Sequence, residues 1–217
     1  EYEYDAFNRR IAESLFVYSA TQKWEKQTGF YYLYVGMEEI GKVDENGKVM
    51  ELRILADNNQ TKQKNAIAFE LQGRLFAPIY DSHGSARCLI DVSTKQGAEY
   101  YRFDSFGKEE IYDSENNKIS SNQAINPWRY SGKRHDAITK LIFYGLRYYD
   151  ATIRRWITPD PCSFYDTPNL YAFVRNDPLN HYDQYGLFSI STLWNEAKKI
   201  SLDCYHYLGS LRSKAKE

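Results

Sequence analysis

Two aspartates stand in settings that could do chemistry. Asp160 precedes Pro161, and Asp183 opens a D-x-x-G run that ends in Gly186 and Leu187. Two carboxylates held close together resist ionising at once. One keeps its proton, and the pair can then activate a water and protonate a leaving amine, which is the chemistry of an aspartyl protease. D-P and D-x-x-G are also common turn sequences, and taken alone each motif reads as a turn. Arg147 is a candidate to pair with an acid and hold it ionised by a charge-assisted hydrogen bond. Arg154 and Arg155 are rivals that sequence does not separate from it. Asp150, Asp166 and Asp177 read as structural.

Other reactive residue types are poorly placed. His83, His135, His181 and His206 show neither H-x-x-x-H nor H-E-x-x-H spacing, so no metal site and no cofactor are expected. Cys88, Cys162 and Cys204 are far apart without a C-x-x-C pair, and read as three free, mostly buried thiols. A net charge of -1 argues against a strong nucleic-acid footprint. No apolar run approaches the ~18 residues of a membrane span. The chain starts Glu1-Tyr2-Glu3-Tyr4-Asp5, with no Met and no basic-then-apolar leader, and reads as a fragment of a longer protein with no signal peptide of its own.

The elements that must position these residues read as strands. The chain has 217 residues, 42% hydrophobic and 26% charged, enough for a real core, and it carries 20 Tyr. Tyrosine forms strands and suits a face that is half buried and half wet. Tyr2 to Arg10 aligns with Tyr100 to Lys108 as aromatic-x-aromatic-Asp-small-Phe-(Asn/Gly)-basic, and Tyr80 to Arg87 is a third copy. Each reads as a strand running into a hairpin turn, with Asp bonding its own downstream backbone and Gly or Asn taking positive φ. Strands are also expected at 30–35, 49–55, 66–71, 89–92 and 99–103, with turns at Asp44-Glu45-Asn46-Gly47 and Gln72-Gly73-Arg74. Asn8 to Trp24 has a helical alternative, but its β-branched and aromatic residues favour strand. The fold class is therefore all-β, of antiparallel hairpins, with at least about 12 short strands by hairpin spacing.

From Asn126 the sequence becomes more specific. It reads N-P-W-R-Y-S-G-K, then G-L-R-Y-Y-D, R-W-I-T-P-D-P, P-N-L-Y-A-F-V-R-N-D-P-L-N and D-x-x-G-L. This resembles the Rhs repeat-associated core, the closing module of Rhs and YD-repeat proteins. The segment from Asp81 through Gly107 resembles the hairpin that precedes that core. The resemblance implies three segments: degenerate YD-repeat hairpins over 1–79, the core over 80–187, and a variable tail over 188–217. It implies a shell of β-hairpins, with an inward-curling core module that plugs one end and encloses the tail. In many members the core is an aspartyl autoprotease that cuts after a D-P-x-G-L motif. Carried over, Asp160 and Asp183 are the acids, supported by Arg147, and the cut falls between Leu187 and Phe188. Ser163 stands where Gly is usual and Gln184 where Pro is usual, so neither departure removes a carboxylate.

The implied partners are the chain's own C-terminal segment and the remainder of the shell, in a secreted or cell-surface-associated, polymorphic-toxin-like protein. The alternative is a structural or adhesive YD-repeat protein, contacting glycan or a cell surface without cutting. The aromatics from Trp128 to Phe173 read as core packing rather than as a carbohydrate platform. The tail changes composition. Leu193, Trp194, Ala197, Ile200, Cys204, Leu208 and Leu211 recur near helical spacing after Ser191 or Thr192, so a short C-terminal helix is expected.

Overall fold

The structure is a computed structural model that describes residues 1–20, 22–55, 65–121, 123–162 and 167–187, and the backbone of 190–191. Eleven strands form one antiparallel sheet in strict chain order. They are β1 Tyr2–Tyr4, β2 Arg10–Tyr18, β3 Trp24–Val35, β4 Glu38–Asp44, β5 Val49–Leu55 and β6 Ala66–Leu71. They continue with β7 Arg74–Tyr80, β8 Ala86–Asp91, β9 Gln96–Phe103, β10 Glu109–Asp113 and β11 Lys118–Ile119. The segment 8–24 is accordingly strand, as its β-branched and aromatic content favours. The sheet does not close into a barrel. Seven of its ten pairings carry a bulge or irregularity, each of which strengthens local twist.

One turn chemistry repeats along the sheet. Asp5, Asp44, Asp81, Asp104 and Asp113 each end or directly follow a strand, and Oδ1 of each accepts the backbone N–H two and four residues on, at 2.8–3.0 Å. The residue three positions after each Asp donates its N–H back to the Asp carbonyl. That residue is Asn8, Gly47, Gly84, Gly107 or Asn116, and each has positive φ, from 58° to 87°. Only Gly, or Asn and Asp among the common types, takes that conformation cheaply. Asp at the first place and Gly or Asn at the fourth therefore specify the hairpin. The turn at Asp113, with Tyr112 before it and Asn116 at the fourth place, escapes the sequence pattern because Glu115 and Asn117 stand where the first two copies have Phe and a basic residue.

The sheet's buried face carries Phe69, Leu71, Phe76, Leu89, Tyr101 and Ile111, and Trp128 stacks on Phe69 at 5.4 Å between centroids. The chain reaches that position through a buried acid. Glu99, on β9, accepts the N–H groups of Ile125 at 2.6 Å and Asn126 at 3.2 Å. Asn126 then folds back, its Oδ1 accepting from Trp128 N–H and its Nδ2 donating to the Trp128 carbonyl. Buried ion pairs fix the following residues to the sheet: Arg134 to Glu39 and Glu51, both at 2.6 Å, Arg129 to Glu109 at 2.8 Å, and Arg10 to Asp136 at 3.1 Å. Strands β12 Arg134–His135, β13 Ile142–Phe143, β14 Tyr148–Asp150 and β15 Arg155–Trp156 make a second small sheet. It encloses an aromatic core of Tyr130, Tyr144, Tyr149, Trp156 and Phe173. Tyr149 stacks on Phe173 at 4.1 Å.

Strand β16 His181–Tyr182 pairs with β17 Ile190–Ser191. The helix expected in the tail lies outside the described residues beyond these two. Cys88 is a free thiol as expected, but Cys162 is disulfide-bonded, which corrects the reading of three free thiols. Among the described residues no helix is long and apolar enough to cross a membrane, and no group of His, Cys, Asp and Glu could hold a metal ion.

Trp128 is 1% exposed and lies against the guanidinium groups of Arg53 and Arg134 as well as on Phe69. Trp128→Ala is expected to cost about 3–5 kcal/mol in denaturant unfolding. Val35→Ala, at an exposed position of the same sheet, should stay within about 0.5 kcal/mol of the parent.

Candidate functional site

A buried cation sits at the rim of the aromatic core. Arg147 directly precedes β14 and is 3% exposed, with its guanidinium 4.2 Å above the Trp156 ring. Trp156 reaches that position because β15 pairs with β14, Tyr149 facing Trp156. A guanidinium is more weakly hydrated than an ammonium and stacks on aromatic faces, so burial here costs it less. The remaining cost is met by acids. Nη2 of Arg147 lies 2.9 Å from Asp160 Oδ2 and 3.5 Å from Asp183 Oδ2. The two carboxylates, from segments 23 residues apart, thus share one nitrogen. Both aspartates are buried, at 8% and 5% exposure.

Each acid uses its other oxygen on its own turn. Asp160 Oδ1 accepts the N–H of Cys162 at 2.8 Å, and the Asp160 N–H bonds the Leu170 carbonyl. Asp183 Oδ1 accepts from Tyr185, Gly186 and Leu187 at 3.0, 2.7 and 3.1 Å. The acid expected to do chemistry is therefore also the cap of the turn that carries the expected cut. Arg147 reaches the same turn, Nε donating to the Gly186 carbonyl. Gly186 has φ of 74°, and a Cβ there would sit 3.1–3.3 Å from Arg147 N, Arg147 Cβ and Tyr144 Cβ. Glycine is needed for both conformation and closeness.

The electrostatics distinguish Asp183. Burial pushes its carboxyl up to about 6, against the opposing pull of Arg147 and of the three backbone N–H groups. Of the rival arginines, Arg154 is exposed and pairs with Asp104 at 3.3 Å, and Arg155 is exposed. Arg147 is the one that meets both acids. Asp150 and Asp177 accept hydrogen bonds from their own turns, as structural residues do. Asp166, Ser163 and Phe188 lie outside the described residues, so the expected cut is described on its Leu187 side alone, where Leu187 is buried. Gln184, where Pro is usual in the resemblance, has its carbonyl bonded by Lys133 Nζ at 2.5 Å. Sequence reasoning passed over Lys133. It closes the N-P-W-R-Y-S-G-K motif, but nothing in the sequence pairs it with Gln184, 51 residues on.

No family model matches the chain. It is 43% identical over 75 residues to toxin subunit YenC2 of Yersinia entomophaga, covering 35% of this chain and 8% of that protein. It is 25% identical over 163 residues to the tRNA3(Ser)-specific nuclease WapA of Bacillus spizizenii, covering 73% of this chain and 6% of that protein. Its fold superposes with a TM-score of 0.57 on the crystal structure of TcdB2-TccC3 without the hypervariable C-terminal region, at 23% identity, over 86% of this chain and 9% of that one. The chain is of the Rhs type. This Rhs-type chain spans under a tenth of the length of each of these relatives.

The raised Asp183 has a consequence for stability. The folded Rhs-type chain holds this proton more tightly than the unfolded chain, whose carboxyl has the ordinary value of 3.8. Its stabilising share is full below about pH 4 and is lost as pH rises through about 6, because the unfolded state then binds fewer protons. Over that window the parent should lose about 3 kcal/mol more than Asp183→Asn. Denaturant midpoints across pH measure the difference, and a carboxyl-carbon titration of Asp183 with its midpoint below 4 would contradict it.

Proposed function

We propose that this chain closes an encapsulating Rhs shell in a toxin-like protein and cuts its own backbone after Leu187. The observation that carries the proposal is the single Arg147 nitrogen shared by two buried acids, beside a turn whose last residue is Leu187. In this reading residues 1–79 are repeat hairpins of the shell wall, 80–187 the core module, and 188–217 the start of the released segment. The partners are that segment and the rest of the shell, and the full-length protein is secreted. The likeness to toxin subunit YenC2 and to the TcdB2-TccC3 fold supports the shell reading.

The chemistry follows from the two environments. Asp160, at the shorter contact with Arg147, acts as the ionised partner and takes a proton from the attacking water. Asp183, which burial keeps protonated to about pH 6, donates its proton as the peptide bond opens. The bond from the Leu187 carbonyl carbon to the Phe188 nitrogen breaks. The water oxygen ends in the new Leu187 carboxyl group, and a proton ends on the new amine. A single turnover suffices, so a slow site is adequate. A half-life of an hour corresponds to a barrier of roughly 22 kcal/mol.

A second reading rests on Asp183 Oδ1, which already accepts three backbone N–H groups. A carboxylate so engaged is what a turn cap requires, and the chain would then be a structural or adhesive Rhs-type scaffold without cleavage, contacting glycan or a cell surface. Intact mass of the full-length protein separates the two. Under the cutting reading the protein yields a fragment beginning at Phe188. Asp160→Asn and Asp183→Asn each stop its release while the near-ultraviolet circular dichroism of the aromatic core is kept. A protein that stays whole for days, or variants that still release the fragment, would leave the scaffold reading in place.

A further inference from the structure

The turn from Asp183 to Leu187 is held from outside as well as by its own acid. Three consecutive carbonyls are taken by the segment 133–147. Lys133 Nζ donates to the Gln184 carbonyl at 2.5 Å, Leu146 N–H to the Tyr185 carbonyl at 3.1 Å, and Arg147 Nε to the Gly186 carbonyl. Two of these donors directly precede β14, one of them a backbone N–H and the other held by the Trp156 stack. Lys133 is different in kind, because it brings a full positive charge on a long side chain across 51 residues of sequence.

Lys133 is half-buried, and its ammonium lies 5.7 Å from the ring centres of both Tyr144 and Tyr185. Burial pulls the amine below the ordinary lysine range. Glu38 and Glu39 of β4 and Asp183 pull the other way, and Arg53 of β5 adds to the lowering. Asp183 for its part faces Arg147 and the three N–H groups of its own turn, with the Tyr144 phenol also in its field. An amine held under these conditions costs free energy to bury, and a surface lysine with no role would turn its head to water.

We propose that Lys133 is a positioning residue for the self-cutting site, fixing the register of the 183–187 turn through the Gln184 carbonyl and placing a second cation in the field of Asp183. The inference rests on the cutting reading above. Where the resemblance leads one to expect Pro at 184, stiffness would come from the ring. Here Gln184 supplies none, and the Lys133 bond restrains the same residue from outside. A shift of the turn by one residue would break all three carbonyl contacts at once. A misplacement of about 1 Å is enough to cost a site about a hundredfold.

The test is the first-order rate at which the full-length protein releases the fragment beginning at Phe188, followed by mass from roughly pH 4 to pH 8. Lys133→Met keeps the length and removes donor and charge. It is expected to slow release at least about tenfold and to move the whole rate profile to higher pH, because losing a nearby cation raises the Asp183 carboxyl. Lys133→Arg, which keeps both donor and charge, should cut within about threefold of the parent on an unmoved profile. If Lys133→Met does not fold, Lys133→Gln, a neutral donor, must still show the displaced profile. A folded Lys133→Met that cuts within twofold of the parent, or more slowly but on an unmoved profile, would overturn the proposal, the second outcome marking a merely structural tie. A parent that never cuts removes the cutting reading itself and this inference with it, and the parent's behaviour alone distinguishes that case.

Discussion

A guanidinium without water around it must find acids and an aromatic face, and Arg147 finds all of them in one place. Its ring neighbour is Trp156, its acids are Asp160 and Asp183, and its carbonyl partner is Gly186. They lie on two separate segments, 156–160 and 183–186, so the charge can be buried only when both have arrived. Removing one partner would leave an uncompensated charge in the interior, which typically costs 3–5 kcal/mol. The arrangement therefore ties the core module together as firmly as its aromatic packing does. The same contact sets the electrostatics of the site. One acid is taken by the cation at close range and the other is left at the edge of its reach, in a place dry enough to keep its proton.

The rest of the molecule supplies the fixed frame for this contact. The sheet carries its order in local turns, five of them written by an aspartate and a residue able to take positive φ. The core module is then anchored to the sheet by acids pointing inward from the strands. Glu99 receives the chain before Trp128, Glu109 holds Arg129 and His135, and Glu39 with Glu51 holds Arg134. Burial disfavours the charged form of Glu109, yet His135 and Arg129 together hold its carboxyl well below the usual range. These inward glutamates make the docking specific. An apolar seam would allow the module to slide along the sheet, whereas fixed charges do not.

Much of the sheet was legible because its determinants are local. Tyr-Asp followed by Gly or Asn marks a hairpin wherever it occurs, and alternation marks the strands between. The turn at Asp113 keeps Tyr112 and Asn116 but has Glu115 and Asn117 where the first two copies have Phe and a basic residue, which hides it from the repeat. The turn between β8 and β9 placed its positive φ at Lys95 rather than at Gly97, the residue whose type suggests it. The site was legible at a different level. Asp160 and Asp183 could be singled out only through the resemblance, since each alone is an ordinary turn acid. The choice of Arg147 over Arg154 and Arg155 depended on which side chain the aromatic core faces, a property of packing across strands. Lys133 and the inward glutamates were illegible for the same reason. A charged residue in a strand or loop reads as solvent-facing until its partner, tens to about a hundred residues away, is known.

The strict chain order of the eleven-stranded sheet has a consequence for how the molecule is built. Every strand pairs only with its predecessor and its successor, so loop closure costs little at each step and the pairing has low contact order for a β-structure. Such a sheet can lengthen strand by strand as the polypeptide emerges from the ribosome, each hairpin offering the next its template. It also makes length a free variable. That freedom lies outside β2 to β10, because Arg10, Glu39, Glu51, Glu99 and Glu109 of those strands hold the docked module and so fix the number of hairpins between them.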